Sequence, residues 1–184
     1  MIPLAVPNLT GHESEYLQQC IETTFVSSVG PFVTRLEGMV AGVAGSSHAV
    51  AVLSGTAGLH VALTAIGVRR DDLVVLPSFT FIASANAIAY CGASPWLFDV
   101  AEESWTLDPA LLAAHLDAET HQKDGCLIHK KTGRRVAAVM PVYTIGMPAN
   151  MDSILKIAKG YNLPVVVDGA AALGATFKGR SLGS

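Results

Sequence analysis

Val165-Val166-Val167 puts three β-branched residues in a row, followed at once by Asp168, Gly169 and small residues through Gly174. A run apolar at every position cannot present one face to water. It reads as a strand buried on both faces, and such strands belong to parallel sheets covered by helices. Leu73–Pro77 and Val136–Val142 repeat the pattern, and segments of helical spacing lie between these runs. This alternation predicts an α/β chain with a mostly parallel sheet flanked by helices, and residues 1–184 are enough for one large domain or for a domain with an appendage. In such sheets ligands sit beyond the carboxyl ends of the strands, which is where Asp168 stands. A carboxylate buried there needs a cation or hydrogen-bond donors, although an Asp in this place also serves as a cap for the turn that follows.

Composition narrows the possible functions. Of 184 residues 51% are hydrophobic and 15% charged, with mean hydropathy +0.43. The chain can therefore bury a sizeable core, yet no uncharged apolar run approaches the ~20 residues of a membrane span. A net charge of −3 gives no reason to expect nucleic acid or an anionic membrane as partner. Met1-Ile2-Pro3 opens without a secretory leader. Cys20, Cys91 and Cys126 are widely spaced and form no CxxC, so reduced thiols in a cytoplasmic protein are expected and a bound metal is not.

In chain order, residues 3–12 read as an extended arm with two prolines. Thr10 and Glu13 have capping-box spacing and open a helix reaching about Thr24, with Tyr16, Leu17, Cys20 and Ile21 on one face. A glycine turn at Val26–Pro31 leads to a second helix near Phe32–Ala44. His48–Leu53 reads as a short strand running into Ser54-Gly55-Thr56-Ala57-Gly58 and then an apolar helix. Free backbone N–H groups and a hydroxyl at a helix N-terminus suit a phosphate, although Ser54 or Thr56 acting as an ordinary N-cap gives the same pattern. The loop is neither a Walker loop nor a GxGxxG, so a nicotinamide dehydrogenase lacks its motif. Helices are expected over Ala83–Cys91, Ala110–Leu116 and Asp152–Lys159, and a strand over Pro95–Val100. The charge cluster Lys130-Lys131 with Arg134-Arg135 reads as a solvated hairpin, and Phe177-Lys178-Gly179-Arg180 as a tight turn.

Three strand ends are thus expected to converge on one crevice. They bring an anion loop (Ser54–Gly58), an aromatic plate (Phe81) and a carboxylate (Asp168). Pyridoxal phosphate needs all three: N–H groups for its phosphate, a flat apolar neighbour for its ring, and a carboxylate that keeps the pyridine nitrogen protonated.

The sequence also resembles the DegT/StrS family of pyridoxal-phosphate-dependent nucleotide-sugar aminotransferases, in its LegC-like branch. The likeness runs from Val6-Pro7-Asn8 to the last residue. It is carried by Ser27-Ser28-Val29-Gly30, Ser54–His60, Pro77–Ala83, Lys130–Arg135, Gly146–Asp152, and Asp168 with Leu173-Gly174. The resemblance implies the large domain of the aspartate-aminotransferase fold, working as a homodimer. It implies Gly55, Thr56 and Ala57 at the cofactor phosphate, Phe81 on the ring and Asp168 at the ring nitrogen. Ser28, Gly30 and Tyr143 are implied near the substrate. The activity implied is transfer of an amino group, usually from glutamate, to a keto sugar on a nucleotide carrier.

Three departures accompany the likeness. The family's Schiff-base lysine stands in a Ser-Phe-x-x-x-Lys motif downstream of the Asp, and none of Lys123, Lys130, Lys131, Lys156, Lys159 or Lys178 has that context. Ala171 stands where the family usually has a polar residue that can bond the cofactor's ring oxygen, and Tyr143 stands where many members have His. The expectation is an N-terminal portion of such an enzyme, inactive as written. A fold-retaining protein that binds or dimerises without catalysis, and a sugar dehydratase on the same scaffold, are the other readings.

Overall fold

The computed structural model describes residues 2–3 and 6–183; of the expected N-terminal arm, Leu4 and Ala5 lie outside the described residues. Contacts divide the chain into two units, Met1–Gly42 with Ser47–Ala51, and Val43–Ser46 with Val52–Ser184.

The first unit contains helix α1 (Glu13–Glu22) and most of α2 (Pro31–Ala44). Tyr16 joins them. Its ring lies 5.1 Å from that of Phe32, and the Arg35 guanidinium sits 5.2 Å above it. The expected capping box does not form. His12 takes the N-cap position, Thr10 bonds to Asn8, and Glu15 rather than Glu13 reaches back, to His12 Nδ1 at 2.9 Å. Residues 48–53 form no strand either: they run beside no ladder partner among the described residues, and Val50 and Leu53 are exposed. Local β propensity does not make a strand without another to pair with.

The second unit is a three-layer α/β arrangement. Its elements are α3 (Gly55–Ala65), β1 (Leu73–Pro77), α4 (Ile82–Tyr90), β2 (Ser94–Phe98), α5 (Pro109–Glu119), β3 (Thr120–Lys123), β4 (Cys126–His129), β5 (Arg135–Val139), α6 (Met151–Gly160) and the small hairpin β6 (Thr176–Phe177) and β7 (Arg180–Ser181). The sheet order is β2-β1-β5-β4-β3, with β1 parallel to β2 and β5, and β3–β4 an antiparallel hairpin. β1 is buried at all five positions and shows why both faces must be covered. Leu73 and Val75 pack with Leu112, Leu116 and Ile154 of α5 and α6. Val74 and Leu76 turn the other way, onto Leu63 of α3 and Ala87 and Ile88 of α4. Each such side chain removed from water contributes about 1.5–3 kcal/mol before the entropy of ordering it.

β5 changes partner along its length. Its first residues pair with β4 through Leu127↔Val136 and Ile128↔Arg135. Farther on, the segment containing the valine triplet takes over, with parallel bridges Val139↔Val165 and Val142↔Asp168. The triplet is thus a two-bridge ladder rather than the fully buried strand expected; Val166 is buried, while Val165 and Val167 are half-buried. The charge cluster also departs from expectation. Lys130–Arg134 does turn, but Arg134 donates to the carbonyls of Asp71 and Asp72 and to Ser94 Oγ. Arg135 makes a two-pronged ion pair with buried Asp72. Their guanidiniums tie the 67–72 loop to the sheet instead of facing water. Lys178 (φ +51°) and Gly179 (φ +77°) form the tight turn expected between β6 and β7, in the left-handed geometry that two-residue hairpin loops require.

Candidate active site

The carboxyl ends of β1 and β5, the start of α3 and the 168–171 turn enclose a cavity of about 600 Å³, within the usual range for small-ligand sites. Gly55, Thr56, Phe81, Tyr143, Asp168 and Ala171 are among the residues lining it. The carboxylate is therefore in one cavity with the α3 N-terminus and the Phe81 ring.

At the α3 end, Ser54 caps the helix, its Oγ accepting from Ala57 N–H at 3.2 Å. Ala57 is not among the residues lining the cavity. Among the described residues, no hydrogen bond occupies the Gly55 or Thr56 N–H. Those two donors and the Thr56 hydroxyl face the space where the helix dipole is positive. At Gly55 a Cβ would meet nothing within 4 Å, which leaves the backbone there open to close approach.

Phe81 stands at the N-cap of α4 with its ring 78% exposed on the cavity wall. An apolar face that large, left to solvent beside a pocket, can be covered by a flat ring.

Asp168 is only 8% exposed. The β5 extension fixes its backbone: its N–H donates to Pro141 O at 2.9 Å and its carbonyl accepts from Tyr143 N–H at 2.9 Å. Its Oδ2 accepts from Ser84 Oγ at 2.6 Å and its Oδ1 from Ala170 N–H at 3.2 Å. Both donors are neutral. Among the described residues no lysine, arginine or histidine lines the cavity, and Asp168 has no ion pair. An ionised carboxylate accepts about four hydrogen bonds, so acceptor capacity remains. Tyr143 is the other titratable group on the wall, and burial pushes its phenol above the ordinary value.

Ser28 and Gly30 belong to the first unit and stand as expectations of the resemblance. Ser84 and Thr80 were not singled out from the sequence. The available signal was a serine on the same face as Ala87 and Ile88 of an otherwise apolar helix, three and four residues away, a position where a hydroxyl must have a partner. Among the described residues, no group of three or more His, Cys, Asp or Glu is placed to hold a metal, and no helix is long and apolar enough to cross a membrane.

The profile of the DegT/DnrJ/EryC1/StrS aminotransferase family matches residues 7–184. The chain belongs to this family. Among its relatives are the GDP-perosamine synthases of Caulobacter vibrioides (strain ATCC 19089 / CIP 103742 / CB 15), 40% identical over 183 residues, and of Escherichia coli O157:H7, 35% identical over 183 residues. Both alignments cover all of this chain but 45% and 46% of the relative. The chain thus spans about half the length of the curated relatives it matches, their N-terminal portion. Among solved structures, 3-amino-5-hydroxybenzoic acid synthase superposes with a TM-score of 0.82 at 31% identity, covering 98% of this chain and 43% of the other. The family's α/β fold with a mostly parallel sheet is the one seen here.

Proposed function

We propose that this chain supplies the cofactor-holding wall of a pyridoxal-phosphate-dependent aminotransferase acting on a nucleotide-linked keto sugar. The observation that carries the proposal is Asp168, a buried carboxylate held by two neutral donors, with no cation facing it among the described residues and an open cavity before it. Burial of an anion in that way is stabilised by a cationic ligand.

The residues present fit the cofactor. Asp168 would hold the protonated pyridine nitrogen, Phe81 would cover the ring, and the N–H groups of Gly55 and Thr56 with the Thr56 hydroxyl would take the phosphate. When bound, pyridoxal phosphate supplies an electron sink, strongest while its ring nitrogen stays protonated. The role of Asp168 is to keep that proton in place; the apolar wall around it keeps water from competing. Ala57, the third residue the resemblance places at the phosphate, gives its N–H to Ser54 Oγ at 3.2 Å.

The amino donor we propose is glutamate. The GDP-perosamine synthases among the relatives favour a GDP-linked sugar as acceptor. A cytoplasmic homodimer is the assembly proposed. The second reading, a pocket that binds without catalysing, is favoured by one observation: Ala171 brings no polar side chain to the cavity wall.

Pyridoxamine 5′-phosphate, which needs no lysine to bind, tests the pocket. Titration followed by its fluorescence and by calorimetry is expected to give one saturable site, lost in Asp168→Ala. No saturable binding, or binding indifferent to Asp168→Ala, overturns the assignment. Borohydride-reducible attachment of pyridoxal phosphate with turnover of glutamate by this chain would remove the non-catalytic reading.

A further inference from the structure

We propose that Ser84, backed by Thr80, is a positioning residue that holds the Asp168 carboxylate in one orientation, aimed into the cavity. The inference rests on the cofactor reading given above and deepens it.

Ser84 is 0% exposed, on a helix whose other residues are mostly small or apolar. Ser84 is the third residue of α4, so the carbonyl four residues back, where a helical serine often bonds, belongs to Thr80 and lies outside the helix. Ser84 instead reaches across to Asp168, 84 positions away in sequence, at 2.6 Å. That is a short, charge-assisted contact.

The direction of each proton follows from chemistry. An ionised carboxylate only accepts, so the single Ser84 proton goes to Asp168 Oδ2. The Ser84 oxygen must then accept from Thr80, whose Oγ1 lies 2.8 Å away. The Phe81 carbonyl, 3.2 Å from the same Thr80 oxygen, is the more distant competitor for that proton. Thr80 donates to Ser84 and Ser84 to Asp168, so the two hydroxyl dipoles point the same way along the chain. Thr80 itself lines the cavity.

With Oδ2 tethered by Ser84 and Oδ1 by Ala170 N–H, the carboxylate plane is set from both sides. Its remaining acceptor positions are left for a ligand. The groups facing it are Ser84 and Thr80 from α4 and the segment before it, Ala170 from its own turn, and the Tyr143 phenol on the cavity wall. Among the described residues none of these is cationic. Removing the Ser84 donor therefore frees Oδ2 with no substitute among them, and the carboxylate is no longer held in one plane.

Two measurements on Ser84→Ala and Ser84→Cys test this, with unchanged near-UV circular dichroism as the check on folding. The first is the carbon-13 carboxyl signal of Asp168 in the ligand-free chain at neutral pH, assigned by its loss in Asp168→Asn. It is expected to move in Ser84→Ala, which removes the donor, and to move less in Ser84→Cys, which keeps a weak donor, and in Thr80→Val. The second is the pyridoxamine 5′-phosphate titration, expected to weaken about tenfold in Ser84→Ala. An unmoved carboxyl signal overturns the proposal whether or not ligand binds. A moved signal with unchanged affinity overturns the role toward the ligand while the pocket stands. A native chain that shows no binding overturns the cofactor reading, and with it this role.

Discussion

The Arg135–Asp72 pair gives the sharpest stability prediction. Asp72 is 3% exposed, and Arg135 donates to it through Nε at 2.9 Å and Nη2 at 2.5 Å, while Nη2 also donates to Gly67 O at 2.6 Å. The carboxylate beside it holds the Arg135 guanidinium above its ordinary proton affinity. Arg135→Ala leaves the Asp72 carboxylate one donor among the described residues, the Arg69 N–H at 2.8 Å, and strands a charge in the interior. Removing one partner of a buried pair costs about 3–5 kcal/mol. The Arg135 side chain is 26% exposed, so water can reach the vacancy and the lower end applies, about 3 kcal/mol. With a urea slope of about 2 kcal/mol/M, the unfolding midpoint should fall by about 1.5 M at unchanged slope. The double variant Asp72→Leu with Arg135→Met carries no buried charge and should recover all but about 1 kcal/mol, the residue being the lost Arg69 contact. A fall of less than 0.5 M (roughly the scale of a surface ion pair) in Arg135→Ala would refute the reasoning.

Three further tests address the periphery. Asp152 bonds Lys178 at 2.5 Å and Arg180 at 2.9 Å, with Lys178 the larger cause of its lowered proton affinity. A depressed carboxyl stabilises the fold above its unfolded value and loses that contribution as pH falls through its folded value. Amide exchange in the β6–β7 hairpin should therefore quicken in acid below about pH 4, and in high salt at neutral pH. Burial raises the Tyr143 phenol, and the contribution of a raised group is lost as pH rises, so stability should decline above about pH 10 and less steeply in Tyr143→Phe. Gly146 has φ +83°, and a Cβ there would lie 3.0 Å from Ala171 O. Gly146→Ala should cost about 1–2 kcal/mol in a thermal melt and weaken pyridoxamine phosphate binding by displacing the cavity rim.

The sequence spoke most clearly where a signal was local. β1 carries its own instruction in Leu73–Pro77, five apolar residues that must be covered on both faces. The Lys178-Gly179 turn needs left-handed backbone, and the sequence supplies glycine there. Where a partner decides the outcome, the sequence misled. His48–Leu53 has strand composition and no strand to pair with among the described residues. Thr10 and Glu13 have the right spacing, yet Asn8 and His12 take the contacts. The arginines at 134 and 135 looked solvated because Asp72, more than 60 positions away, is invisible to a local reading. At the site, Asp168 and Phe81 were legible as types at strand ends, whereas Ser84 is defined only by what lies across from it.

The divided ladder of β5 separates two parts of the second unit. The β3–β4 ribbon leaves the sheet at Val136, before the strand reaches the residues that build the cavity wall. Its inner residues Leu127 and His129 are buried, whereas changes at its exposed tip, residues 121–125, should not shift Val142 or the acid opposite it. Sequence drift should therefore gather there, and a fused peptide or label placed at Asp124-Gly125 should leave ligand affinity as it was.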